Sequence, residues 1–451
     1  MANSVTNKRI KEPASHSENQ KDKKKETKPA NKALPINAVT TSSSASYSSS
    51  SSVESSMAEA AAAAGGSLVG NNEDLLWQIF PYLSPKSLLR FQCVSRQWLS
   101  IISDPAFRIL HARTYPATTS SSSATTGLIL HVRLPWLETY SFNFISFHED
   151  YKNSMHHIIS NFSDFSKGKI WNFDSCNGLC AMRLSILKSQ CRHDQVVVYN
   201  PSTRQHRVIP LEIKDGYIEG MNIVFDPLKS DHFKLVLVRR VEDYWYGLDK
   251  YIYHVYASQT GVWRRSEGTK IGWDSAYFEK GVVWNGDLHW MTHLGHTLCF
   301  DLDNATLRQN MPPLLERPEH ARTHILFFGV SGENLCAIGD KKLGTLDLDV
   351  YELERDYSKW NVKYYCLCSL GALYPSLMDE RWQILCMPVD KEDKSATLVI
   401  CLDEKIIYYD TKNMTVTDVK QVDNQGCRRP LGVSAYNWTE AYQHMETLAC
   451  L

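Results

Sequence analysis

Cysteines, histidines and aspartates form the groupings whose spacing could do chemistry. Cys176-x3-Cys180, followed by Cys191-x-His193, offers soft thiolates and an imidazole, the donors of a tetrahedral zinc site. Cys366-x-Cys368 would place two thiols on one strand face. His289-x3-His293-x2-His296 would bind a metal if its first two imidazoles shared a helix face. Asp226, Asp301, Asp303, Asp347 and Asp349 recur beside turns, and paired carboxylates serve glycoside hydrolysis. Each grouping has a plainer reading. The cysteine spacing is not that of standard zinc modules, and cysteine is a common core residue. The histidines flank a predicted strand and its loop, where the helical geometry fails. The aspartates are expected to cap turns. No Gly-x-Ser-x-Gly elbow, no phosphate-cradling glycine loop with lysine and no dinucleotide fingerprint accompanies them. The expectation is no catalytic residue, no metal and no cofactor.

The chain has 451 residues, room for two or three domains. Its hydrophobic content of 43% and aromatic content of 11% support a sizeable core. A formal net charge of -1 implies neither a nucleic-acid surface nor an anionic membrane as partner. No leader's apolar stretch opens the chain, and no run approaches the ~20 apolar residues that span a bilayer. The 12 cysteines are expected to be reduced, in nucleus or cytoplasm.

Residues 1–67 read as a disordered low-complexity tail, with serine dominating Ser42 to Ser56. Within it Lys8-Arg9 and Lys23-Lys24-Lys25 are spaced like a bipartite nuclear import signal, though a solvated basic tail is the plainer reading, since basic clusters are frequent in such tails.

From Asn71 to Phe107 the pattern predicts three short amphipathic helices. Leu75, Leu76, Ile79, Phe80 and Leu83 make one broad apolar stripe. Ser84 and Pro85 suit an N-cap and a first helical position. The second helix carries Leu88 and Leu89, and the third carries Val94, Trp98, Ile101 and Ile102. Pro105 is expected to stop it by Asp104, leaving a short tail to Tyr115. So small a unit has more apolar surface than it can enclose, and should dock on its own chain or on a partner.

This stretch resembles an F-box. The matching residues are Asp74-Leu75-Leu76, Ile79-Phe80, Leu83, Pro85, Lys86 to Phe91, Cys93-Val94-Ser95, Trp98, Ile101 to Pro105 and Phe107. Asn71-Asn72 stands where the family has Leu-Pro, a pair that helps grip the Skp1-type adaptor. The resemblance implies that Leu75, Leu76, Ile79, Phe80, Leu83, Pro85, Leu88, Val94 and Trp98 form the docking face for a Skp1-like subunit, and through it a cullin.

Residues 116–127 read as a linker. Beyond them the texture becomes all-β. One plan, strand, polar turn, strand, recurs at Val196 to Pro210, Tyr253 to Ser266, Leu298 to Pro312, Leu346 to Cys366 and Ile406 to Lys420. An interval of roughly 45 to 60 residues is that of four-stranded propeller blades, whereas a β-sandwich, the competing fold, has no reason to reuse one hairpin plan at this interval. Further strands are predicted at Ile325 to Val330, Asn334 to Gly339, Arg381 to Met387 and Leu398 to Asp403. Asn285-Gly286 reads as a tight hairpin turn, and Trp263 and Trp290 as wedges between blades.

The region resembles the F-box-associated, kelch-like domain of plant F-box proteins. Ser175 to Leu179, Tyr199 to Arg204, Phe225-Asp226-Pro227, Phe233 to Val236 and Gly281 to Trp290 carry the likeness. The fold expected is α+β and multidomain: a three-helix F-box over 70–115, then over 128–445 an all-β propeller of about six or seven blades. The function implied is a non-catalytic substrate-recognition adaptor of an SCF-type ubiquitin ligase, its propeller capturing a target protein through residues the sequence leaves unnamed. A non-ligase interaction scaffold and a kelch-like propeller enzyme are the alternatives.

Overall fold

A computed structural model of the chain describes residues 70–118, 127–134, 139–146, 169–188, 191–211, 217–241, 250–270, 276–308, 311–314, 325–340, 348–364, 382–390, 395–402, 405–421 and 437–451. The basic clusters, Asp347, Cys366 and Cys368 lie outside them.

Asn72 begins the helical unit. Its Oδ1 accepts the Leu75 amide at 3.2 Å and caps α1 (Glu73–Ile79). The residue that departs from the family pattern thus supplies a helix cap of the preferred kind. A 3-10 turn (Phe80–Tyr82) follows. Ser84 caps α2 (Pro85–Phe91), with Pro85 in its first turn. Ser95 caps α3 (Arg96–Ser103), its Oγ accepting the Trp98 amide at 3.1 Å. Val94 therefore precedes α3 instead of riding on it. Pro105 does end α3, but it also opens a fourth helix, α4 (Pro105–Thr118), where only a short tail was expected. Asp104 Oδ1 accepts the Ala106 amide at 2.7 Å, and the missing N–H of Pro105 is no loss at a helix start.

Among the described residues the β region has six antiparallel sheets. β1 (Gly127–Leu134) and β2 (Thr139–Ser146) belong to blade 1. Blade 2 is β3 (Lys169–Cys176), β4 (Leu179–Lys188), β5 (Cys191–Asn200) and β6 (Gln205–Pro210). Blade 3 is β7 (Tyr217–Phe225), β8 (Phe233–Val241), β9 (Lys250–Ala257) and β10 (Val262–Arg265), with β11 (Thr269–Lys270) beside β9. Blade 4 is β12 (Val282–Trp284), β13 (Asp287–Met291), β14 (Thr297–Asp301) and β15 (Thr306–Arg308). Blade 5 is β16 (Ile325–Ser331), β17 (Asn334–Asp340), β18 (Leu348–Leu353) and β19 (Trp360–Tyr364). Blade 6 is β20 (Trp382–Cys386), β21 (Thr397–Leu402), β22 (Lys405–Asp410) and β23 (Thr415–Gln421). β24 (Asn437–His444) then pairs back onto β1, Gly127 opposite His444.

That last pairing closes a ring, and the packing follows it. Strand alternation sends successive side chains to opposite faces, so each blade fills the wedge on either side. Phe173 and Met182 of blade 2 pack with Phe142 and Tyr442 of blade 1. Val196 and Val198 meet Ile223 and Leu235 of blade 3. Tyr253 of blade 3 meets Trp290 and Phe300 of blade 4. Met291 and Trp284 face Tyr351 and Leu353 of blade 5. Val350 meets Ile400 of blade 6, and Cys401 returns to Leu128 of blade 1. Trp290 fills its wedge as anticipated, fully buried, and its indole donates to Asn222 Oδ1 at 2.9 Å. Trp263 lies half-buried against the blade 2–3 cluster.

The five repeated strand–turn–strand segments are the outer hairpins of blades 2 to 6. Asn285 (φ 56) and Gly286 (φ 89) make the positive-φ turn between β12 and β13. The outer hairpins also turn through positive φ, mostly without glycine: Arg204 (φ 60), Ala305 (φ 55) and Met414 (φ 54) hold the position that Gly261 holds in blade 3. A β-branched side chain is strained there. Met414→Val is expected to lose about 1–2 kcal/mol of stability, whereas Met414→Gly is tolerated; two melting curves decide.

Candidate functional site

The apolar stripe of the helical unit divides in two. Leu76, Phe80, Pro85 and Leu88 are buried, and all but Pro85 form one cluster with Ile101, Ile102 and Phe107. Leu83 and Trp98 pack on that cluster half-buried. The Trp98 indole donates to the Gly70 carbonyl at 2.8 Å, and its ring meets Phe80 edge-on at 4.9 Å. These six of the nine expected docking residues hold the unit together. The other three face outward: Leu75 is 36% exposed, Ile79 43% and Val94 60%. Tyr82 and Leu99, which the sequence did not single out, are exposed with them. Leu75 and Ile79 stand one turn apart on α1 and so share a face.

The propeller does not cover that outward set. It meets the helical unit through α4. Arg108 Nη1 lies 3.7 Å from Asp231, and Arg113 donates to the Leu228 carbonyl at 3.1 Å. His111 is buried between Phe107 and Tyr115 and bonds the Leu83 carbonyl at 2.9 Å. Burial holds its ring below the usual histidine range.

The segment after β24 completes the junction. Leu448 enters the helical cluster, while Ala449 joins the blade 2–3 cluster. Asn200 Nδ2 donates to the Thr447 carbonyl at 3.2 Å and to the Ala449 carbonyl at 2.7 Å. The same side chain caps its own turn, Oδ1 accepting from Ser202 at 2.9 Å and Thr203 at 3.3 Å. Gly178, at φ +89, sits where a Cβ would lie 2.5 Å from the Met445 carbonyl. Two motifs read from sequence as blade architecture therefore also seat this segment. Its residues carry no periodicity, so the pattern could not announce it.

The groupings weighed for chemistry are placed as follows. Cys176 and Cys180 flank the Asn177-Gly178 turn, and their thiols bond the Phe225 carbonyl and Ser175 Oγ. Burial pushes both up to about 12, so neither is a ready thiolate. No described cysteine is in a disulfide, and no described group of three or more donors could hold a metal ion. His289 is buried on β13, its Nε2 3.2 Å from Tyr357 Oη, while His293 lies in the following turn and His296 bridges to Pro313 just after it. Asp226 and Asp301 cap turns, Asp301 Oδ1 taking the Asp303 and Asn304 amides. Asp303 pairs with Lys234 at 2.8 Å. Asp349 departs from the expectation: it is buried within β18 and accepts from Tyr351 Oη at 3.4 Å.

Burial brings His254, His289 and His444 from 6.5 to about 4. Below pH 6.5 the unfolded chain takes up protons at these rings that the fold excludes. Stability should therefore fall as pH drops from 6.5 toward 4, and His289→Gln should flatten the slope. Denaturant unfolding across that range measures it; a rise in stability on acidification would contradict the assignment.

A helical unit with an uncovered apolar face, carried on a closed propeller, defines an adaptor. The chain belongs to the F-box proteins with an F-box-associated β-propeller. An F-box-like family matches residues 73–109, and the F-box associated beta propeller domain matches residues 134–435. F-box protein At5g07610 of Arabidopsis thaliana is 30% identical over 338 residues, covering 69% of this chain and 74% of that one. A second F-box protein of that plant is 24% identical over 251 residues, covering 52% of this chain and 59% of that one.

Proposed function

We propose that this chain is the substrate-recognition subunit of an SCF-type ubiquitin ligase. Leu75, Ile79, Tyr82, Val94 and Leu99 form the contact surface for a Skp1-like subunit, which brings the cullin. Their exposure beside the packed cluster of Leu76, Phe80, Leu88, Ile101, Ile102 and Phe107 is the observation that carries the reading. The propeller captures a target protein. The chain then acts by proximity: it holds a target lysine near a charged E2 and raises effective concentration without covalent chemistry of its own. The seated segment after β24 supports this, because two modules that hold a fixed relation present a target at a fixed distance.

Copurification with a Skp1-like subunit tests the first half. Affinity capture with and without residues 70–118 tests the second: targets should accumulate on the form lacking the helices, since they are bound and not degraded. An intact, folded chain that recovers no Skp1-like subunit would refute the ligase assignment. We place the protein in nucleus and/or cytoplasm, which a fluorescent fusion with Lys23, Lys24 and Lys25 changed to Ala would examine.

A further inference from the structure

The ring of blades leaves a cavity of about 440 Å³ between its inner strands. Five blades give the strand at one sheet edge to the wall: β24, β3, β12, β16 and β20. Blade 3 is the exception. Its edge strand β7 stands behind residues 276–281, the segment that leads into β12. A Cβ at Gly220 of β7 would lie 2.2 Å from the Phe278 carbonyl oxygen, and one at Gly281 would lie 2.6 Å from the Asn222 side-chain amide carbon. Glycine alone permits so close an approach. Phe278 is buried against Tyr251 and Trp290, with ring centroids 4.9 Å and 5.3 Å away. That anchor sets Tyr277, which is 43% exposed, and the exposed Lys280 into the wall where β7 would have stood.

The neighbouring wall, on blades 4 and 5, is apolar. β16 carries a bulge there: Ile325 pairs with Gly339 and Phe327 with Ile338, so Leu326 is the extra residue. A bulge re-aims the side chains around it. Leu326 and Phe327 both line the cavity and stay half-buried. A Cβ at Gly329 would fall 2.6 Å from Phe327 Cζ, so that ring lies back along its own strand. Val283 and Met291 extend the apolar wall on the blade 4 side.

Charged groups are few. Asp174 is the one carboxylate of the described wall, and both its oxygens are taken. Oδ1 accepts the Ser175 amide and Oδ2 the Ile223 amide, each at 2.8 Å. Lys280 is the one cation of the described wall, and no described residue pairs with its ammonium. Glu279 beside it accepts instead from Asn172 Nδ2 at 3.3 Å.

We propose that this cavity binds a small amphipathic carboxylic acid, its apolar body against Leu326 and Phe327 and its carboxylate at Lys280. The volume falls within the range of about 300–1,000 Å³ that holds small molecules, and an apolar lining with few polar groups is the usual build of such sites. A single cation without a partner is complementary to a single anion. The site lies apart from the helical face, so the inference stands or falls independently of the ligase reading.

The test titrates the full chain calorimetrically with naphthoate and with decanoate. Naphthamide is the neutral control and naphthylmethylamine the cationic one. At least one acid should bind at one site per chain, weaken as salt rises, and lose at least about tenfold in affinity to the Lys280→Glu variant. Naphthylmethylamine should gain on that variant. The Lys280 side chain is exposed, so the variant should melt like the wild type. The Ile79→Asp/Val94→Asp variant should bind the acids as the wild type does. Four results would each overturn the proposal: neither acid binds the wild type, Lys280→Glu binds them equally, naphthamide binds as tightly as naphthoate, or the Ile79→Asp/Val94→Asp variant loses binding, which would place the acids on the helical face.

Discussion

Ile79→Asp combined with Val94→Asp is expected to weaken binding to a Skp1-like subunit by at least about a hundredfold, with the thermal transition of the propeller unchanged. Both side chains face solvent and neither belongs to the helical cluster. The folded chain alone therefore has little to lose from the change. In the complex each carboxylate would be buried against an apolar partner surface. A buried unpaired charge loses several kcal/mol, and each 1.4 kcal/mol is tenfold in affinity. Titration of the variant and the wild type against the same subunit reads the difference. Leu76→Ala would answer a different question. Leu76 is buried in the cluster with Leu88 and Phe107, so its truncation should destabilise the helices by about 2–5 kcal/mol. Lost binding would then report an unfolded unit and not a missing contact.

Asn200→Ala is expected to be among the most damaging single changes in the propeller, at about 3 kcal/mol. The side chain is fully buried and serves two structures at once. Its oxygen caps the turn at Ser202 and Thr203, and its amide donates to the carbonyls of Thr447 and Ala449. Truncation orphans all four groups, and buried unsatisfied groups carry about 1–3 kcal/mol each, with relaxation and water recovering part. Asn200→Asp separates the two roles: it keeps the capping oxygens and loses the donors, setting a carboxylate against carbonyls. It should therefore loosen the segment from Met445 to Leu451 while the turn survives. Amide exchange should rise there and in α4, because Leu448 of that segment is part of the helical cluster. A wild-type exchange pattern in the Asp variant would show that the clamp contributes nothing.

The features legible in the sequence are those fixed by near neighbours. Each outer hairpin announces itself through strand alternation and a polar turn within about fifteen residues. Asn285-Gly286 marks its turn by local φ preference alone. Three of the four helices show through caps and apolar spacing. The fourth was hidden because Pro105 carries two messages. It ends a helix behind it and suits a helix ahead, and only the Asp104 cap selects the second. Which half of the apolar stripe turns outward was also beyond pattern: Leu75 and Leu76 are adjacent and alike, and the packing of Phe107 and Leu448 sorts them. Pattern alone sets Asp349 in a turn, where Asp is common, but its strand position follows from pairing with Gly339.

Hydrogen–deuterium exchange on the full chain, with and without a Skp1-like subunit, tests the central claim most directly. Protection should appear in α1, in the turn at Tyr82 and from Val94 to Leu99, and the propeller blades should exchange as before. Binding with no protection in those segments, or with protection confined to the blades, would contradict the assignment of the helical face as the adaptor surface.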